Sequence, residues 1–449
     1  MNRRHCPALM VSAPASGQGK TAVTAALARI YANLRRRVQI FKCGPDFLDP
    51  MILEQASGRP VFQLDLWIQG EDECRRLLWE AAEFADLVLI EGVMGLFDGT
   101  PSSADLARFF NIPVMAVIDA GAMAETFAAV AFGLSRYQPG LPFAGVFANR
   151  TGSKRHVRIL RSSLDASLPS ARTATAASGP KWLGSLPRSA DIALPARHLG
   201  LVQAGEIADL NTRLNKAAEA LQWEISTTDL PPEVEFIRPA DDQAPCSPSL
   251  RGLRIGIAKD AAFSFIYRAN LDFLEKSGAK LAFFSPLRDN ALPDVDSLYF
   301  PGGYPELYLQ ALHDNSALLQ GIQKHHQSGR PILAECGGML YLMEKLRDTR
   351  GLELSLAGII PGKAEMRKSL AALGAQEVEL PEGKLRGHTF HYSELDTALT
   401  PVAFGKYPAK RDRGEAVYRT GNLTASYIHL YFPSNPRAIS ALFTGGRES

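Results

Sequence analysis

The sequence predicts two α/β domains in one chain, each a largely parallel sheet flanked by helices, and three observations carry that prediction. First, apolar runs of strand length alternate with helical stretches from Leu9 to about Trp223, the pattern of a sheet covered on both faces. Second, the alternation stops in TTDLPPEVEFIRPADDQAPCSPS, a stretch rich in Pro, Asp and Ser. Third, a new alternation starts at LRIGIAK and runs on through KLAFFSP, SLYFPGG and RPILAECGG. The boundaries read in this way are a first domain over 1–223, a linker over 224–249 and a second domain over 250–449. A chain of 449 residues suits two large domains.

Composition narrows the function classes. Hydrophobic residues at 46% and charged residues at 21% exclude a disordered or collagen-like chain. A net charge of +2 gives no bulk attraction to nucleic acid or anionic lipid, so neither is expected as a partner. The apolar window from Ile112 to Leu134 contains Pro113, Asp119 and Glu125 and reads as a strand followed by a helix, not as a membrane span. The N-terminus lacks a secretory apolar core, so a cytoplasmic address is expected. Five cysteines (Cys6, Cys43, Cys74, Cys246, Cys336) are odd in number and contain no C-x-x-C, which disfavours a disulfide framework or a zinc site.

In the first domain the strand ALMVSA leads into SAPASGQGKT and then the apolar-periodic helix TAVTAALARIYANL. This is the setting of a phosphate-binding loop. Gly17 and Gly19 let backbone N–H groups approach phosphate, Lys20 adds charge toward the β- and γ-phosphates, and the Thr21 hydroxyl can hold Mg²⁺. Pro14 stands where the strict pattern has its first Gly. The strand VQIF is followed by Lys42, Asp46 and Asp49, and ADLVLI by Glu91 and Asp98. Acids at strand ends either hold Mg²⁺ beside a nucleotide and position a nucleophile, or are solvated loop acids. Cys43 reads as a small buried apolar residue, and Ala166–Pro180 as a mobile loop.

In the second domain PILAECGGMLYL places Cys336 on a sharp turn between an apolar strand and an apolar helix, the arrangement of a nucleophile elbow. The N–H of Gly337 can face an oxyanion, and Gly303 in PGGY offers a second donor. His429, at the end of an apolar strand in LTASYIHLYF, can serve as the base. His388 with His391 and His325 with His326 lack metal spacing and read as surface or core histidines.

The ordered motifs SGQGKT, FKCGPDFLDP, EGVMGLFDG, GVFANR, LPARHLGL, PGGYPE, AECGGMLYL, GHTFHYSEL and ASYIHLYF span nearly the whole chain. The set resembles the glutamine-dependent cobyrinic acid a,c-diamide synthases, called hydrogenobyrinic acid a,c-diamide synthases in the aerobic route to cobalamin. The resemblance implies a P-loop, dethiobiotin-synthetase-like N-terminal domain and a class I glutaminase-like C-terminal domain. It further implies ATP and Mg²⁺ as cofactors, a corrinoid and glutamine as small-molecule partners, and amidation of two ring acetates through an acyl phosphate. Under it Gly17, Gly19, Lys20 and Thr21 serve the triphosphate; Thr21, Asp46 and Glu91 serve the metal. Lys42, Asp46, Glu91 and Asp98 line the phosphoryl-transfer site, with the three acids facing the substrate, and Asn149 reads adenine. Cys336 is the nucleophile, His429 its base, and Gly303 and Gly337 form the oxyanion site.

Two departures stand out. Class I triads carry an acid two residues after the histidine, where this chain has Tyr431, and Ile266 occupies a usually aromatic place in AFSFIYRANL. The rival readings are a cobyric acid synthase-like amidation of other side chains of the ring and a ParA-like regulatory ATPase, which would leave the cysteine elbow without a role. The sequence admits a homodimer without specifying one.

Overall fold

The computed structural model describes residues 2–166, 179–195, 202–224, 230–240, 250–408 and 412–446. The expected loop at Ala166–Pro180, most of LPARHLGL and Cys246 therefore lie largely or wholly outside the described residues. The chain divides into two compact units, Met1–Asp242 and Gln243–Ser449.

In the N-terminal unit the strands are β1 (Arg3–Ser12), β2 (Val38–Cys43), β3 (Phe62–Leu64), β4 (Leu87–Glu91), β5 (Val114–Asp119), β6 (Phe143–Thr151), β7 (Trp182–Pro187), β8 (Gln222–Trp223) and β9 (Glu233–Ile237). Its helices are α1 (Lys20–Asn33), α2 (Leu48–Ser57), α3 (Glu71–Phe84), α4 (Ser103–Phe109), α5 (Thr126–Arg136), α6 (Lys154–Ala166) and α7 (Leu210–Ala220). The sheet order is β3-β2-β4-β1-β5-β6-β7-β8, parallel from β3 to β7. Strands β2 and β4 are buried along their whole length, as a sheet covered on both faces requires. Ser12, Lys42, Glu91, Asp119 and Asn149 sit at or near the carboxyl ends of their strands, where open α/β sheets bind ligands.

One expectation needs correction. Within the 224–249 stretch read as linker, Glu233–Ile237 forms β9 and pairs antiparallel with Arg3–Pro7. Its EVEFI segment alternates exposed and buried positions, with Val234 and Phe236 packed into the core beside Cys6. That period of two outweighs the Pro- and Asp-rich composition around it.

The C-terminal unit holds β10 (Arg254–Ala258), β11 (Lys280–Phe284), β12 (Ser297–Phe300), β13 (Ile332–Glu335), β14 (Met343–Arg347), β15 (Glu353–Ser355) and β16 (Ile360–Met366). The chain continues with β17 (Ala372–Leu380), β18 (Gly383–His391), β19 (Ser393–Asp396), β20 (Ala403–Lys406), β21 (Arg413–Thr420), β22 (Leu423–Ser426) and β23 (His429–Leu430). Helices α8 (Arg268–Lys276), α9 (Leu309–Asp314), α10 (Ser316–Gln327), α11 (Gly337–Tyr341) and α12 (Pro436–Thr444) complete it. The main sheet runs β11-β10-β12-β13-β22-β21-β20-β17-β18-β23, parallel as far as β22 and antiparallel beyond; a second sheet runs β15-β14-β16-β19. Among the described residues no helix is long and apolar enough to cross a membrane.

Candidate functional site

The N-terminal site is built by register. Lys42 and Glu91 are directly paired residues of β2 and β4, and Glu91 pairs with Val11 of β1 on its other side. Their side chains therefore rise together beside the loop that follows β1. Lys42, only 2% exposed, donates to Glu91 Oε1 at 2.6 Å and to Asp49 Oδ2 at 2.7 Å, with Asp46 Oδ2 at 3.7 Å. The Thr21 hydroxyl donates to the same Glu91 Oε1 at 2.9 Å. Burial alone would lower the Lys42 pKa, but Asp49, Glu91 and Asp46 together hold it well above the usual lysine value. Burial pushes Glu91 up despite Lys42, and burial with the Asp49 charge pushes Asp46 up. Asp49 is the acid that keeps its charge: the Lys42 ammonium outweighs the effect of burial and holds it below the usual range. Two buried oxygens here, Glu91 Oε2 and Ser12 Oγ, make no hydrogen bond among the described residues.

The loop itself turns through Gly17 (φ 78°) and Gly19 (φ 87°), both in the left-handed region that glycine adopts without strain. A Cβ on Gly19 would lie 2.1 Å from Asn149 Nδ2, so the loop rests against that side chain. Lys20 crosses the loop, donating to Met94 O at 2.5 Å and Ala15 O at 3.2 Å. Burial and the Lys42 charge lower its pKa, and Glu91, Asp49 and Asp98 oppose them. A hollow of about 570 Å³ lies over these groups, lined by Gly17, Lys20, Thr21, Lys42, Asp46 and Asn149 among others. A larger one, about 850 Å³, sits near Phe143 and Trp182 at the amino ends of β6 and β7, the end of the sheet that carries no phosphate loop.

Two residues behave differently from the sequence reading. Asn149 donates its amide to Gln18 O at 2.8 Å, so one of its functions is to brace the phosphate loop. Asp98 accepts from Gly95 N at 2.9 Å and closes a turn; it makes no hydrogen bond to the Lys42 cluster. Cys43 is buried and its thiol is pushed up to about 12 by burial, as suits an inert core residue.

In the C-terminal unit Cys336 sits between β13 and α11 with φ 46° and ψ −113°, a strained conformation for a residue with a side chain. The helix after it ends at Tyr341, before the chain re-enters a sheet as β14. A Cβ on Gly337 would lie 2.9 Å from Gly303 N, and one on Gly302 would lie 2.2 Å from His429 Cε1. The Gly302–Gly303 turn thus touches both the elbow and the imidazole. Burial pushes the Cys336 thiol up, partly offset by the Gly337 N–H, and burial pushes His429 down to about 3. Both shifts favour the uncharged forms, thiol and imidazole.

His388 and His391, read as core or surface residues, are buried, and His388 lies against the imidazole of His429. His388 is cross-strand to His429 and stacks on it, with ring centroids 4.9 Å apart, while Tyr267 OH meets His388 Nδ1 at 2.7 Å. His391 stacks on Tyr427 and contacts Glu415 Oε1 through Nε2 at 3.1 Å. The GHTFHYSEL alternation of β18 was the available signal, because a period of two puts His388 and His391 on opposite faces. The partner strand β23 could not be foreseen from it. Ile266 is partly buried against the core, whereas Phe265 packs against Tyr304 and His429.

A phosphate loop backed by a lysine–carboxylate cluster, and a strained cysteine elbow beside a buried histidine, together define a nucleotide-binding glutamine amidotransferase. Residues 9–202 match the CobQ/CobB/MinD/ParA nucleotide binding domain, and residues 254–437 match the CobB/CobQ-like glutamine amidotransferase domain. The hydrogenobyrinate a,c-diamide synthase of Stutzerimonas stutzeri is 60% identical over 98% of this chain and 99% of its own length. Its counterpart in Pseudomonas aeruginosa is 59% identical over 100% of both chains, and the cobyrinate a,c-diamide synthase of Herminiimonas arsenicoxydans is 45% identical over 97% and 96%. The chain belongs to the cobyrinate and hydrogenobyrinate a,c-diamide synthase family.

Proposed function

We propose that this chain amidates the a and c acetate carboxylates of the corrin ring in cobalamin biosynthesis, consuming ATP and taking ammonia from glutamine. The observation that carries the reading is the presence in one chain of the Lys42 cluster under a phosphate loop and of the Cys336 elbow and a buried His429 that both touch the Gly302–Gly303 turn. The relatives at 59% and 60% identity are named for hydrogenobyrinate, which favours the cobalt-free ring as substrate. The site of action is the cytoplasm.

A carboxylate cannot be displaced by ammonia directly, because oxide is too poor a leaving group. Transfer of the γ-phosphoryl of ATP to a ring carboxylate gives an acyl phosphate and ADP; ammonia then attacks the acyl carbon and phosphate leaves. Lys20, freed from Ala15 and Met94 as phosphate replaces those carbonyls, and Lys42 stabilise the charge on the transferring group. Glu91 Oε2 and Ser12 Oγ, without a hydrogen-bond partner among the described residues, and the Thr21 hydroxyl are the oxygens that would hold Mg²⁺. No cluster of three metal-binding side chains occurs among the described residues; a Mg²⁺ shared with nucleotide phosphates needs only one or two protein oxygens. Bound there, the ion would screen phosphate charge. Asp46 and Asp49, half-buried around Lys42, are placed to orient the attacking carboxylate through that ammonium.

At the other site His429 accepts the Cys336 proton as sulfur attacks the glutamine amide carbon. The N–H groups of Gly337 and Gly303 receive the oxyanion, ammonia departs with a proton from His429, and water hydrolyses the thioester to glutamate. The test is glutamine-dependent ADP release and product mass with hydrogenobyrinic and cobyrinic acid side by side. A diamide, lighter than the free acid because two OH groups have become NH₂ groups, formed faster from the cobalt-free ring, is expected. Absence of amidation on either ring sinks the proposal.

A further inference from the structure

We propose that Glu335 is a positioning residue of the glutamine half-reaction, a side-chain strut that ties the strand carrying Cys336 to the strand carrying His429. It immediately precedes the nucleophile and is 2% exposed. Its Oε1 accepts from the backbone N–H of Leu430, next to His429, at 3.0 Å, and its Oε2 accepts from Tyr299 OH at 2.7 Å. One carboxylate thus spans β12, β13 and β23.

The strut has a reason to exist. Strand β23 is only two residues long and lies at the sheet edge, paired on one side with β18. The backbone groups of Leu430 would otherwise be buried without partners, a cost that folded proteins avoid. Two side chains meet the need: Glu335 takes the N–H, while Asn270 donates to Leu430 O at 2.8 Å and accepts from Phe432 N at 2.8 Å. The place of the usual triad acid is filled by Tyr431, buried and packed edge-on against Tyr267. The imidazole is therefore fixed by its surroundings, namely the Gly302 backbone, the His388 ring and the Leu430 peptide held by Glu335. An apolar residue at 335 would be cheaper to bury, since burial drives this carboxyl up to about 8. Retaining an acid there follows if its reach matters. Oε1 can accept from Leu430 whether or not the group carries a proton, so reach and not charge is the property in use.

The inference rests on Cys336 and His429 being the glutaminase pair, which Cys336→Ala tests separately. The experiment uses the intact enzyme and two substitutions that divide charge from length. Glu335→Gln keeps the span and loses the charge; Glu335→Asp keeps the charge and loses a methylene of reach. Steady-state glutamine hydrolysis is measured across pH, with ammonia-dependent amidation as the folding control. Expected for Glu335→Gln is a kcat within about threefold of wild type and an unchanged pH profile. Expected for Glu335→Asp is a fall in kcat of about 10- to 100-fold, a KM for glutamine within about twofold, and normal turnover with ammonia. A wild-type kcat for Glu335→Asp overturns the inference, and so does a loss in Glu335→Gln as large as in Glu335→Asp. Should Glu335→Asp lose ammonia-dependent turnover as well, Tyr299→Phe decides: it frees Oε2 and should lower kcat several-fold at constant KM, and no change overturns the strut.

Discussion

A methyl group on Gly302 would lie 2.2 Å from Cε1 of His429, closer than any real carbon contact, and the ring is held behind by the stacked His388. The imidazole must therefore leave its resting position. A displacement of about 1 Å at a reacting group can cost about a hundredfold in rate, so Gly302→Ala should lose glutamine-dependent turnover on that scale while turnover with ammonia stays. Equal loss with both nitrogen sources would contradict the placement. At the phosphate loop the three acids no longer stand as equals. Glu91 accepts from Lys42 and Thr21, whereas Asp98 closes a turn with Gly95. Glu91→Gln should slow ADP formation by about two orders of magnitude or more, and Asp98→Asn by well under tenfold, when both are assayed with ammonia. Reversal of that order would place Asp98 on the reacting groups. Residue identities at strand ends were legible in the sequence because the loop motifs are local. Partners were not: the Asn149 amide meets a carbonyl 131 positions away, and nothing along the chain marks that encounter.

At the scale of elements the alternation of strands and helices was readable because buried parallel strands are continuous apolar runs, as β2, β4 and β5 are. The extents of the shortest elements were not. The two-residue β23 and the five-residue α11 owe their form to neighbours, β18 for one and the Gly303 backbone for the other. Helix α4 shows a local signal in full. Ser102 accepts from Asp105 N at 3.1 Å and the Asp105 carboxylate accepts from Ser102 N at 2.8 Å, a capping box that ends the loop running from Gly92 past Met94 and Asp98. Ser102→Ala removes one arm of it and should cost about 1 kcal/mol of stability, read by denaturant unfolding of the intact chain. Because the loop also presents the Met94 carbonyl to Lys20, the affinity for ATP should change together with the stability.

For the whole molecule, buried titratable groups set opposing pH slopes. His429 and His325 have folded-state values pushed down by burial to about 3 and about 4. Unfolded chains bind those protons more readily, so this stability is complete above the ordinary histidine value of 6.5 and is lost as pH falls toward the folded values. Glu335 has the opposite sign. Its folded value is raised from 4.5 to about 8, so its contribution is complete below 4.5 and is lost as pH rises to 8. Thermal unfolding of Glu335→Gln should therefore gain on wild type steadily from pH 5 to pH 8, and His325→Gln should gain on wild type as pH falls from 6.5 to 4.5. A pH-independent difference in either pair would show that the group does not titrate as buried.

The division of labour between the two units makes the last prediction. In the proposed mechanism phosphoryl transfer depends on Lys20, Lys42 and Glu91, all within Met1–Asp242, and glutamine cleavage on Cys336 and His429, both within Gln243–Ser449. The acyl phosphate accepts ammonia from any source, whereas the thiol serves only glutamine. Cys336→Ala should therefore abolish amide formation from glutamine and leave amide formation from an ammonium salt near the wild-type rate. Lys20→Ala should abolish both, because no acyl phosphate forms once the ammonium that meets the triphosphate is gone. It should leave at least a basal hydrolysis of glutamine at Cys336, since that reaction needs no nucleotide. Mass measurement of the product with each nitrogen source, alongside glutamate release, reads all three quantities. A folded Cys336→Ala enzyme unable to use ammonia, or a Lys20→Ala enzyme that still amidates with saturating ATP, would show that the two half-reactions are not divided between the units in this way.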